Sequence, residues 1–282
     1  MKLSIFTVAT PELSPEELAA AAKEAGLQGI EWRYKEVPEG AEDDEPSFWG
    51  NNRSSISPYL PLSELSRYKQ AAENEGLISL AVTPYVGAGD VAGTERVLQA
   101  ARELGASFIR VGVPVYDGTV HFRDLYKQGR DYLEVVQPLC KEYGVKGLVE
   151  THHKTITASA SGAQALVQGL DPDHIGVLFD PGNMVHEGFE NYKMGIELLG
   201  PYLAHVHVKN ASWITEGMNE DGSAKWQSGW APLNEGMVPW KQVVDALRAS
   251  GYDGYYGVED FSGQYATSPA MLQNFADFMR SL

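Results

Sequence analysis

Two apolar patterns alternate along the chain. Short continuous runs such as VKGLVE, IGVLFD, LAHVHV and YYGVED read as buried strands, and longer stretches with apolar residues three or four apart read as amphipathic helices. The first strand covers Lys2–Val8, and a helix over Ser14–Gly26 follows it. Ser14 suits the N-cap, Pro15 the first helical position and Glu17 the return bond of a capping box, and Gly26 ends the helix. Leu18, Ala21, Ala22 and Ala25 then share one face. Further strands are predicted at Gly29–Trp32, Leu77–Thr83, Ser107–Val113, Val145–Thr151, Ile175–Phe179, Leu203–Val208 and Tyr255–Val258. Helices are predicted at Pro61–Gly76, Asp90–Gly105, Thr119–Gly144, Ala158–Leu170, Glu190–Gly200 and Pro239–Ser250, and Ser268 and Pro269 open a last one.

Strands that alternate with helices form right-handed βαβ units and a parallel sheet. Their unbroken apolar character fits burial on both faces. Eight such units in 282 residues predict an α/β fold, a (β/α)8 TIM barrel in one domain over residues 1–282. The competing doubly wound open sheet usually announces itself with a glycine-rich turn after the first strand. Here that turn is TVATPEL, without glycine. Two connections are long, Arg33–Leu60 with Trp49, and Lys209–Val238 with Trp213, Trp226 and Trp230. Both leave the strand ends where barrels build their active sites.

Charge narrows the partners. Lys and Arg number 22 against 38 Asp and Glu, a net charge of −16. Phosphates of nucleic acid and anionic membrane surfaces would both be repelled. The single cysteine, Cys140, excludes a disulfide within the chain and sits in a helical pattern as a small apolar residue. The start, MKLSIFTVATPEL, has too short an apolar run for a signal peptide, and no segment reaches the length of a membrane span. A cytoplasmic location is the expectation.

Four of the predicted strands end on costly groups. Glu150, Asp180, His207 and Glu259 close or directly follow the fifth to eighth strands, which a barrel places side by side at its mouth. A charged group at the tail of an apolar strand needs a partner. Three carboxylates and an imidazole make an oxygen-rich site that suits a hard divalent ion such as Mn²⁺ or Mg²⁺ better than structural zinc. Taken singly, Asp180 would read as the cap of the turn Pro181-Gly182-Asn183, and His205 as a packing or surface histidine facing away from His207.

The segments VETHH, FDPGNM, HVHVKN, PLNEGMVPW and GYDGYYGVED resemble the xylose isomerase-like barrel superfamily, in particular its sugar (phosphate) isomerase and epimerase group with the ketose 3-epimerases and inosose dehydratase. The resemblance runs over essentially the whole chain. It implies a divalent metal on Glu150, Asp180, His207 and Glu259, with Mn²⁺ first and Mg²⁺, Co²⁺ or Zn²⁺ as alternatives. It also implies a small sugar-like substrate, a dimer or tetramer, and proton transfer by Glu150 and Glu259 through an enediolate. Substrate contacts are expected from His152, Asn183, Lys209, Glu31, Arg110 and Trp213, with Lys209 alternatively paired to Glu150 and Glu31 to Arg110. Trp49, Trp226 and Trp230 are further stacking candidates. Asn183, Ile156 and Asn210 depart from residues common in relatives, so the resemblance implies metal chemistry rather than one particular ketose. The rival outcome is a dehydratase or lyase acting on an inosose or 3-keto-glycoside with the same site. A nuclease would need a basic groove and more metal ligands.

Overall fold

A computed structural model describes all residues from Met1 to Leu282. In chain order the regular elements are β1 (Lys2–Phe6), α1 (Pro15–Glu24), β2 (Gly29–Tyr34), α2 (Ser66–Asn74), β3 (Ile78–Pro84), α3 (Val91–Leu104), β4 (Phe108–Arg110), α4 (Phe122–Tyr143), β5 (Lys146–Glu150) and α5 (Ala160–Val167). There follow β6 (Ile175–Phe179), α6 (Pro181–Glu187), α7 (Tyr192–Leu199), β7 (Leu203–Val208), β8 (Asn210–Met218), β9 (Ala224–Ala231), α8 (Trp240–Ala249), β10 (Tyr255–Val258) and α9 (Ser268–Ser281). Eight strands close a parallel barrel in the order β1-β10-β7-β6-β5-β4-β3-β2. The predicted (β/α)8 barrel is therefore the fold.

Local chemistry explains the element ends. Ser14 accepts from the Glu17 N–H and Glu17 returns a bond to the Ser14 N–H, so the capping box forms as the sequence demands. Gly105 and Gly144 end α3 and α4 in the left-handed conformation that glycine adopts without strain. The helices lay their apolar stripes on the barrel, and α1 buries Leu18, Ala19 and Ala22.

Five regions differ from expectation. β1 ends at Phe6, where a single 3-10 turn over Thr7–Ala9 begins. β2 runs on through Tyr34, because Ile56 of the long connection bonds back to Arg33 and Lys35 and extends the pairing. β4 stops at Arg110; beyond it the chain presses so closely on the β3–α3 connection that a Cβ on Gly112 would meet backbone at 2.5 Å. The Asp180 turn is the start of a helix, α6, with Asp180 capping the Asn183 N–H and Pro181 in the first position. The Lys209–Val238 connection holds an antiparallel hairpin, β8 with β9. Most of that hairpin is exposed on both faces, so it carries no alternating apolar signal.

Candidate metal centre

Glu150 is the last residue of β5, His207 lies near the end of β7, and Asp180 and Glu259 directly follow β6 and β10. All four are buried, and one ligand atom from each falls within 4.8 Å of all the others. His207 Nδ1 stands 3.6 Å from Glu150 Oε1, 3.6 Å from Asp180 Oδ2 and 3.7 Å from Glu259 Oε2. These separations are too long for hydrogen bonds. His207 Nδ1 is indeed buried without a hydrogen-bond partner, and Asp180 Oδ2 meets only the Lys209 ammonium, 2.9 Å away. Ligand atoms ~2.1 Å from a shared ion in a tetrahedral array lie ~3.4 Å apart. The spacing and the orphaned nitrogen fit a metal ion between them.

The charges fit as well. Four buried carboxylates, Glu31, Glu150, Asp180 and Glu259, share this interior with two buried cations paired to them, Arg110 and Lys209. The carboxylates outnumber these two cations, an excess that a bound cation would reduce.

Behind His207 lies a second row. Glu31 Oε2 is 2.9 Å from His207 Nε2, and Glu31 Oε1 is 2.9 Å from both His205 Nε2 and the Ser4 hydroxyl. Burial opposes charge on Glu31, but the two imidazoles outweigh it and hold the carboxyl well below its ordinary range. An ionised carboxylate only accepts, so both histidines carry hydrogen on Nε2. His207 thereby keeps Nδ1 for a ligand. Burial also opposes charge on His207, yet Glu31, Asp180 and Glu150 raise its pKa well above the usual value. In the metal-free protein a proton occupies Nδ1. This row corrects two expectations. His205 does not face away from His207, because residues two apart in a strand share a face. Glu31 does not pair with Arg110, which lies one layer nearer the mouth beside Glu150.

The remaining site residues divide between the two glutamates. Arg110 donates to Glu150 Oε2 at 2.7 Å and to the Pro84 carbonyl at 2.9 Å. Asn183 Nδ2 donates to Glu150 Oε1 at 3.1 Å, so Asn183 orients a candidate ligand. Lys209 bonds Glu259 and lies 2.9 Å from Asp180 Oδ2; it does not pair with Glu150. Burial works against the Glu150 anion, but Arg110 outweighs it and keeps the carboxyl well below its usual pKa. Burial raises the pKa of Glu259, Lys209 and His207 pull it back, and the neighbouring Glu150 and Asp180 charges leave it raised. The two carboxyl pKa values are thus pushed in opposite directions.

Glu150 and Glu259 both line a cavity of about 580 Å³, together with His152, Lys209 and Arg110. Trp49 and Trp230 line it too, as does Phe261, which sits 5.4 Å from Trp49 and 5.5 Å from Trp230 between ring centres. Trp213 does not line it: its Nε1 donates to the Val185 carbonyl, and its ring lies against Phe189. Trp226 is exposed on the hairpin. The sequence reading also passed over His153, which lines the cavity, bonds Asn183 Oδ1 and stacks 4.4 Å from His152. Its adjacency to His152 in VETHH was the available signal.

The chain matches the family described as xylose isomerase-like TIM barrel over residues 19–282. Among curated proteins it is similar to the inosose dehydratase of Lacticaseibacillus casei, with 25% identity over 157 residues, 51% of this chain and 50% of that one. The chain spans about half the length of the curated relatives it matches. Among solved structures it resembles the 3-keto-D-glucoside 4-epimerase of E. coli, with TM-score 0.70, 19% identity and 100% of both chains covered. It also resembles the IOLI protein with a zinc atom, with TM-score 0.72, 19% identity and coverage of 99% and 97%. At such identities the structural likeness shows the fold alone.

Proposed function

The chain belongs to the xylose isomerase-like TIM barrel family, and on that premise we propose that it is a divalent-metal-dependent sugar isomerase or epimerase acting on a hydrogen beside a carbonyl. One observation carries the reading: Glu150 and Glu259 flank the His207 ring nitrogen and line one cavity. Glu150, Asp180, His207 and Glu259 would hold the ion, which when bound polarises a carbonyl as a Lewis acid. The three oxygen donors and one nitrogen favour Mn²⁺ or Mg²⁺.

The chain's own groups then do the proton work. Glu150, kept ionised by Arg110 and oriented by Asn183, removes the hydrogen next to the carbonyl. Glu259, with Lys209 at its Oε2, is placed to return a proton. Two acid–base groups in place of one allow removal and return on opposite faces, which is epimerisation. His152 and Lys209 line the cavity as donors to substrate oxygens, and Trp49, Trp230 and Phe261 narrow it against water.

A dehydratase reading shares the first step. The inosose dehydratases among the curated relatives favour it, since Glu259 could equally protonate a departing hydroxyl. The test is solvent-deuterium incorporation by the Mn²⁺-loaded protein on D-fructose, D-tagatose and an inosose, followed by NMR. Incorporation with formation of an epimer, lost in Glu150→Gln and Glu259→Gln, is the expected result. An unsaturated product without any epimer would replace the isomerase reading with the dehydratase one.

A further inference from the structure

The wall of the mouth opposite the metal ligands carries a buried cation that nothing pairs. Arg33 sits in β2, two residues beyond Glu31 and so on the same interior face. Its side chain is 0% exposed. Nη1 donates to Ser55 Oγ at 2.8 Å, but Nε and Nη2 are buried with no hydrogen-bond partner, and no carboxylate lies within 4.0 Å. A buried guanidinium with open donors is costly, and proteins otherwise pair such charges.

Arg33 is not isolated. The Arg33 and Arg110 guanidinium carbons lie 5.5 and 5.0 Å from the centre of the Tyr85 ring, and Lys35 Nζ lies 4.7 Å from it. Three cations from the ends of β2 and β4 therefore surround one ring that directly follows β3. Of the three, only Arg110 has a carboxylate. Burial, and then the Arg33 charge, lower the Lys35 pKa, as expected for neighbouring cations without an anion between them. The contacts with the ring face are worth only about 0.5–2 kcal/mol each. Tyr85 is 40% exposed and lines the same cavity as Glu150 and Glu259. A chain of net charge −16 thus leaves two unpaired cations beside its catalytic cavity.

We propose that Arg33, with Lys35 and Arg110, binds an oxyanion carried by the substrate, so that the substrate is a sugar acid or sugar phosphate whose anionic end takes the place of the Tyr85 ring. The carbonyl end then faces the metal ligands on β5, β6, β7 and β10. Tyr85 moves aside on binding, which its exposed loop position permits. A planar guanidinium with two free N–H groups matches a carboxylate or phosphate in bidentate fashion. This rests on the proposed carbonyl chemistry for the substrate class, but not for the anion site itself.

Isothermal titration at low ionic strength tests it, with D-fructose, 5-keto-D-gluconate and D-fructose 6-phosphate as neutral, carboxylate and phosphate probes, with and without Mn²⁺. At least one anion should bind tenfold or more tightly than D-fructose in the metal-free protein, and the two anionic arms tell carboxylate from phosphate. Arg33→Gln should reduce that preference below threefold, while Arg33→Lys, which keeps the charge but not the fork, retains only part of it. Arg33→Gln should also melt no lower than wild type without ligand, because no ion pair is lost; a purely structural Arg33 predicts a clear fall. Equal binding of neutral and anionic probes, or no binding of either anion, overturns the proposal. Failure of the catalytic reading looks different: anion preference persists and no ketose incorporates deuterium.

Discussion

Replacing Glu31 by Gln should weaken metal binding without touching a metal ligand. Glu31 accepts from Ser4, His205 and His207, each at 2.9 Å. A Gln amide offers one acceptor oxygen and one donor nitrogen, so one imidazole N–H must face an N–H. The His207 ring can escape by giving up its Nε2 hydrogen and holding the one on Nδ1, which points at Glu150, Asp180 and Glu259 and occupies the lone pair an ion needs. Loss of such a supporting contact typically lowers metal affinity 10–100-fold, about 1.4–2.8 kcal/mol. The assay is calorimetric titration with Mn²⁺, paired with nitrogen NMR of the imidazoles to read the tautomer. A second route reaches the same atom: a Cβ on Gly257 would lie 2.1 Å from Glu31 Oε1, so Gly257→Ala should displace Glu31 and weaken binding similarly. An affinity within twofold of wild type in Glu31→Gln, with hydrogen still on His207 Nε2, would refute the reasoning.

Three other outcomes follow from the structure. Neighbouring carboxylates raise the His207 pKa well above its usual value, so an incoming ion must displace a proton; metal binding at neutral pH should release close to one proton and weaken as pH falls, seen as buffer-dependent heats in calorimetry. Burial pushes the Cys140 thiol up to about 12, so a disulfide reagent at pH 8 should leave the folded protein unlabelled and label one thiol in guanidinium. Ser14→Ala removes the hydroxyl that caps α1 and should cost about 1 kcal/mol, read as a fall in the denaturation midpoint at constant slope.

The barrel and its candidate ligand quartet were legible because both leave marks in a linear string. Continuous apolar runs announce strands covered on both faces, and a charged residue closing such a run announces a mouth. Glu150, Asp180, His207 and Glu259 carry both marks and converge within 4.8 Å. The hairpin of β8 and β9 carries neither mark, since its residues face water on both sides over most of its length. The start of α6 was written in Asp180 and Pro181, yet Gly182 disguised it. That glycine is there because Lys209 approaches within 2.4 Å of where a Cβ would stand. The pairings inside the barrel were not legible at all. Arg110 meets Glu150 rather than Glu31, and Lys209 meets Glu259, because barrel layer decides which charges touch, and layer depends on register between strands far apart in sequence.

That layering also explains how one interior tolerates so many charges. Deepest lies Glu31, satisfied by two imidazoles and a hydroxyl. Above it the three carboxylates at the ends of β5, β6 and β10 outnumber Arg110 and Lys209 by one. On the far side of the mouth Arg33 has the opposite excess. Were the two sets adjacent, they would neutralise each other and the cavity would collapse into ion pairs. Arg110 already shows the limit of that approach: it is committed to Glu150, while its guanidinium also lies 5.0 Å from the Tyr85 ring that separates it from a bare Arg33. Keeping the walls apart costs folding stability, as uncompensated buried charge always does. It leaves one wall that gains by taking a cation and another that gains by taking an anion. A double substitution that relieves both walls, Asp180→Asn with Arg33→Gln, should therefore raise the melting temperature of the metal-free protein while abolishing its affinity for Mn²⁺. A fall in melting temperature would show that the two excesses are compensated within the fold itself.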